Sequence, residues 1–220
     1  MFSSDMLSLF GKGILETFYM VLVSSAMAYL LGLPLGILLV CTDKNGITPN
    51  KLVNVILGIA VNFFRSVPFV ILMLWMLPVT RFIVGTTLGS TAVIVPLVVG
   101  ATPFVARMIE SSLKEVDHGV VEAAQSMGAT SWQIITRVLL PEAKPSLLVG
   151  CAITITTILG YSAMSGFVGG GGLGDIAVRY GYYRYNNDVM SITVILLVII
   201  VQIFQEVGMA LTRKVDKRSK

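Results

Sequence analysis

With 220 residues, 55% of them apolar and only 13% charged, and a mean hydropathy of +0.85, the chain lies outside the composition of soluble domains. The net charge of +4 and pI of 9.1 call for no nucleic acid, because basic loops and a basic tail beside anionic lipid account for them. Two cysteines, Cys41 and Cys151, build no disulfide framework, and His118 is the only histidine, which excludes a histidine-based metal cluster.

A membrane-crossing helix needs about 20 apolar residues to cover roughly 30 Å of hydrocarbon. Five stretches qualify, so the sequence predicts an all-α membrane protein forming a single transmembrane domain over residues 1–220. The first span covers about 17–42, carries no charge from Thr17 to Thr42, and contains Pro34, a candidate kink. It has no basic region ahead of it and is too long for the apolar part of a signal peptide, so it is read as a retained span.

The second span, about 53–78, contains Arg65. A charge inside a span is a functional candidate by default. The preferred reading is structural, because 26 residues make roughly 39 Å of helix, longer than the hydrocarbon. The stretch from Val53 to Phe64 then lies partly in the inner interface, and Arg65 snorkels or pairs with a carbonyl.

The third span, about 91–109, holds Pro96 and Pro103. The segment after it, about 115–141, is polar for such a chain. Gly128 has the chemistry of a residue just past a helix end, closing a short helix that includes Glu122 to Met127. Thr130 reads as an N-cap with Gln133 completing a capping box, and Pro141 is expected to break the second helix. Val120, Val121 and Ala124 supply an apolar stripe at helical spacing. A helix-turn-helix of this kind is either an interfacial linker or a docking element.

The fourth span, about 145–164, opens at Pro145 and carries Thr154, Thr156, Thr157, Tyr161, Ser162 and Met164. Its polar groups are expected to face protein or water, most of them in helix packing. Tyr161, Ser162 and Met164 are the candidates for the substrate path, with Met164 about 30 Å from Pro145 as an outer gate. The run GGGGLG at 169–174 formally fits a dinucleotide fingerprint, but such a fingerprint must follow a strand and open a helix. It is expected to be a flexible or tightly turned outer loop. The fifth span covers about 189–211, and the methionines scattered along the spans are gap fillers.

Lys12, Arg81, Arg179 and Arg184 fall on one side of this arrangement. Lys44, Lys51, Arg107, Lys114, Arg137, Lys144, Arg213, Lys214, Lys217, Arg218 and Lys220 fall on the other. The second side is therefore cytoplasmic, with the N-terminus outside and the C-terminus inside. The 115–141 segment then faces the cytosol.

Glu122, Ala123, Ala124, Gly128, Val138, Leu140 and Pro141 fill every fixed position of a pattern that resembles the EAA loop of ABC-importer permease subunits. The stretches NFFRSVPFVILMLWMLP, TRFIVGT, GYSAMSG and GGGGLGD are similar to the methionine-import branch of that family. The resemblance implies a multi-pass permease in the bacterial plasma membrane, surrounded by lipid and working as a pair of identical copies. Two copies of a separate ATP-binding subunit would dock on the EAA loops, and an external binding lipoprotein would deliver the substrate. It implies no catalytic residue and no cofactor in this chain, which carries no Walker A sequence; ATP and magnesium would sit in the partner ATPase. Permeases for other small solutes, an ion-coupled secondary transporter and a membrane scaffold are the alternatives. The secondary transporter would need intramembrane acids and an internal repeat, whereas Glu16 and Glu206 lie near span ends.

Overall fold

A computed structural model describes residues 4–215, with side chains from 6 to 213. The expected tail cations Lys217, Arg218 and Lys220, and the side chain of Lys214, lie outside the described residues. Every regular element among the described residues is helical.

Helix α1 runs Ser4–Cys41, starting well before the expected Thr17, and keeps Pro34 inside it. Helices α2 (Lys51–Ser66) and α3 (Phe69–Trp75) follow, then α4 (Leu77–Val84), which ends at Gly85 in the left-handed conformation. The second expected span is thus interrupted. Pro68 lacks the N–H a continuous helix would use and disfavours α geometry in Val67 before it. Helix α5 (Ser90–Lys114) runs past the expected end at Ile109.

The next elements are α6 (His118–Ser126), α7 (Ser131–Ile134), a π-helical turn (Ile135–Leu139) and α8 (Leu140–Glu142). Helix α9 (Lys144–Met164) leads through a 3-10 turn (Ser165–Val168) to α10 (Gly172–Ile176). A second π turn (Ala177–Tyr182) precedes α11 (Asn187–Val215). Among the described residues four helical stretches are long and apolar enough to cross a membrane: Met6–Cys41, Ser90–Lys114, Lys144–Val168 and Asn187–Arg213. The interrupted pair α2 and α3 makes a fifth if it is counted as one span.

The described residues divide into two compact units, 4–28 with 67–101 and 154–205, and 29–66 with 102–153 and 206–215. The first unit buries Met20, Leu72, Met73, Leu97, Ile158 and Leu173. In the second unit Leu39, Val61 and Ala106 form a cluster with Leu35 and Leu57. There Gly32 and Gly36, one turn apart on α1, bring the helix backbone against α5. A Cβ on Gly32 would lie 2.6 Å from Val105 Cγ1, and one on Gly36 2.7 Å from the Ala106 oxygen. Without a hydrophobic drive between helices in lipid, such close backbone approach supplies the packing.

Candidate functional site

The EAA segment folds as a capped helix, a tight turn and a second capped helix within the second unit. Asp117 opens α6, its Oδ1 accepting the Gly119 N–H at 2.7 Å. At the other end the Gly128 N–H donates to the Gln125 carbonyl at 2.9 Å and the Ala129 N–H to the Ala124 carbonyl at 3.1 Å. This pair of bonds is the Schellman arrangement, and Gly128 holds it at a φ of 77°. Thr130 then opens α7. Its Oγ1 accepts the Gln133 N–H at 3.4 Å while Gln133 Oε1 accepts the Thr130 N–H at 2.9 Å. Both orphaned helix ends are satisfied by groups inside the segment, so its shape is fixed locally.

The helix does not break at Pro141. The backbone opens into the π turn and continues through α8 to Ala143. An i to i+5 turn tolerates a residue without an N–H nearby, which an uninterrupted α ladder would not. Within the turn Thr136 Oγ1 donates back to the Trp132 carbonyl at 2.8 Å.

Of the seven patterned residues, Ala124 is buried, Val138 and Leu140 are half-buried, and Glu122, Ala123, Gly128 and Pro141 are exposed. Ala124 is buried on α6, which packs against the π turn. In the expected apolar stripe, Val121 is half-buried and Val120 exposed. Glu122 Oε1 lies 3.1 Å from His118 Nδ1, and both side chains reach into solvent. The tip presents Met127, 81% exposed, and Trp132, 72% exposed. Beside it lies a cavity of about 330 Å³ lined in part by Asp43, Lys114, His118 and Val121. An exposed apolar tip on a locally rigid turn is suited to insertion into a groove of another protein.

A line of charge runs behind this segment that the sequence reading did not identify. Arg107 pairs with Glu110, Lys114 Nζ lies 2.9 Å from Glu110 Oε1, and the same Nζ lies 2.8 Å from Asp43 Oδ2. The signal was present as Arg, Glu and Lys at helical steps of three and four. Arg107 and Lys114, read as loop residues, are inside α5. The Lys114 ammonium and the Lys44 N–H hold the Asp43 carboxyl below the usual carboxylate range.

The candidate path residues fall in the first unit. Tyr161 stacks on Phe69 with ring centroids 4.4 Å apart and planes 5° from parallel. Ser162 is buried, its Oγ donating to the Leu159 carbonyl at 2.8 Å, and Met164 is 42% exposed at the end of α9. The glycine run beyond it is tightly turned. The Gly172 N–H donates to Glu16 Oε2 at 2.7 Å and the Leu173 N–H to Thr17 Oγ1 at 2.9 Å, so α1 caps the start of α10. Asp175 on α10 faces Arg179 Nε at 2.8 Å. Burial pushes its carboxyl above the usual range, Arg179 draws it back, and Glu16 adds to the rise. Among the described residues no group of His, Cys, Asp and Glu side chains is placed to hold a metal ion.

Comparison with known proteins meets the same segment. Residues 32–220 match the family described as "Binding-protein-dependent transport system inner membrane component". The chain is 56% identical over 203 residues to the "Probable D-methionine transport system permease protein MetI" of Vibrio cholerae, covering 92% of this chain and 90% of that protein. It is 45% identical over 181 residues to the "Methionine import system permease protein MetP" of Bacillus subtilis, covering 82% of each. A solved chain from "Inward facing conformations of the MetNI methionine ABC transporter" superposes with a TM-score of 0.97 at 47% identity, covering 98% of this chain and all of that one. With its apolar spans, its EAA segment and a match over most of its length, the chain belongs to the inner-membrane permease family of binding-protein-dependent ABC transport systems.

Proposed function

We propose that this chain is the permease subunit of an ATP-driven methionine importer, acting as one of two identical copies. The observation that carries the reading is the EAA tip, a self-capped turn that presents Met127 and Trp132 to solvent in a chain with the composition of a membrane protein. Glu122, Ala123, Ala124, Gly128, Val138, Leu140 and Pro141 form the coupling element. The ATP-binding subunits, which hold ATP and magnesium, receive the two tips in their grooves. Their closure drives the tips together and switches the membrane cavity between its inward-facing and outward-facing forms. The permease itself hydrolyses nothing. An external binding lipoprotein delivers the amino acid to the outer side, where Tyr161 and Met164 line the entrance and Ser162 is buried behind them.

Methionine as substrate is supported by the names of the relatives and by a membrane path with few charges, which suits a zwitterion with an apolar side chain. The N-terminus lies outside and the C-terminus inside, as the distribution of Lys and Arg supports. The test is uptake of labelled methionine, as each enantiomer, by vesicles containing permease, ATPase and binding protein, with lysine as the comparison. Methionine uptake that requires ATP and the binding protein is the expected result. Lysine uptake without methionine uptake would discard the substrate, and uptake without the ATPase would discard the transporter class.

A further inference from the structure

One face of α2 carries polar groups at helical steps: Asn54, Gly58, Asn62 and, one turn further, Arg65 and Ser66. All but one are occupied. Asn54 Nδ2 donates to the Leu39 carbonyl at 2.7 Å and to Thr42 Oγ1 at 3.2 Å. The Arg107 guanidinium donates to the Gly58 carbonyl at 3.4 Å and to Asn62 Oδ1 at 2.9 Å, and Ser66 Oγ donates to the Asn62 carbonyl at 2.8 Å. Through Arg107, Glu110 and Lys114 the chain of contacts reaches down to Asp43.

Arg65 stands at the open upper end of this line. It is exposed and makes no hydrogen bond or ion pair among the described residues, so the expected carbonyl partner is not there. The other two cations well inside candidate spans, Lys12 and Arg107, each have a carboxylate, from Glu16 and Glu110. Fourteen residues separate Arg65 from Lys51 at the helix start, about 21 Å of rise along α2, and α3 leaves at a bend of 100° just beyond it. At 100° per residue, Arg65 falls on the same side of α2 as Asn54 and Gly58. Leu52, Ile56, Ile59 and Phe63, the exposed apolar residues suited to lipid, are on the opposite side. Ionisable groups inside membrane spans almost always face protein or a water-filled cavity, so an uncommitted guanidinium turned away from the lipid side is placed to meet water or a solute.

We propose that Arg65 binds the carboxylate of the amino acid during its passage. The guanidinium fork matches a carboxylate with two parallel hydrogen bonds, and the ligand shares the polar face with a line of groups already paired with one another. The proposal rests on the importer reading above and names the residue that recognises its substrate's charged end.

The test uses the assembled complex of permease, ATPase and binding protein in vesicles, measuring methionine imported per ATP hydrolysed. In Arg65→Gln that ratio is expected to fall by about tenfold or more, the value of a charge-assisted hydrogen bond, while Arg65→Lys, which keeps the charge and loses the fork, falls in between. The concentration of loaded binding protein at half-maximal import is expected not to move. Both variants importing at the unaltered ratio would overturn the assignment of Arg65 and leave the importer reading standing. So would a Gln variant that loses import only in proportion to assembled complex, since that is a structural role. A deficit present in vesicles containing phosphatidylglycerol but absent in pure phosphatidylcholine would assign Arg65 to an anionic lipid headgroup instead. Failure of the unaltered complex to import methionine would overturn the importer reading and this assignment together.

Discussion

Gly128 and Gly174 both sit beside turns, yet a methyl group added to Gly128 would meet nothing within 4 Å, whereas one added to Gly174 would lie 2.2 Å from the Ala163 carbonyl oxygen. At Gly128 the requirement is conformation, a φ of 77° in open surroundings. At Gly174 the requirement is space, because two backbones touch. The first turn is closed by its own neighbours; the second is held by Glu16 and Thr17 of α1. The turn proposed to meet another protein keeps its surface free, and the turn built into a core gives its surface up.

The largest effect that separates the two is expected from Gly174→Ala. The added methyl has only backbone to displace, so destabilisation at the upper end of overpacking costs, about 3 kcal/mol, is expected. Thermal unfolding of the purified permease measures it, and an unchanged midpoint would break the account of this turn as a close contact. Glu16→Ala comes next, leaving the Gly172 N–H without its acceptor at a cost of about 1–2 kcal/mol. Hydrogen exchange at Gly172 and Leu173 is expected to rise in that variant, with exchange at Gly128 and Ala129 unmoved.

Gly128→Val is expected to strain the coupling turn by about 1–2 kcal/mol, with the spans still inserted and methionine uptake reduced. Gly128→Asn, which visits the left-handed region more readily, is expected to recover most of the loss. Equal uptake by the Val variant and the unaltered protein would break the conformational account. The smallest effect belongs to Asp43. Its folded carboxyl titrates below the ordinary value of about 3.9, so its contribution is present above that pH and is lost as pH falls through the folded value. The pH dependence of unfolding in that acid range is expected to flatten in Asp43→Asn, by little, because the pair with Lys114 is partly solvated.

Most of the tip was legible in the sequence because what shapes it lies within a few residues: Gly128 turns locally, and Thr130 and Gln133 cap each other, while the equally local Asp117 cap was missed. The glycine run was read as flexible or tightly turned, and only the second holds, since its restraint comes from residues 156 positions away that no local pattern reveals. The interruption of the second span was written in Pro68, but the apolar character of both flanks concealed it. Helix α5 outruns its expected end because pairing neutralises the charges of Arg107, Glu110 and Lys114, which had marked a loop. The four-residue step from Gly32 to Gly36 is a small-residue pattern that the sequence reading passed over, and the partner helix it meets is visible only in the structure.

The π turn at Ile135–Leu139 bears on how this chain tolerates changes in length. An α-helix rotates about 100° with each residue, so an insertion or deletion within α9 would turn every later side chain to a new bearing. A π turn holds one residue more than the α turn it replaces. Losing one residue between Ile135 and Leu139 therefore restores plain α geometry and leaves the flanks in phase. Met127 and Trp132 keep their aim relative to α9 through such a loss, and the helix can shorten there without disturbing what the tip is pointed at.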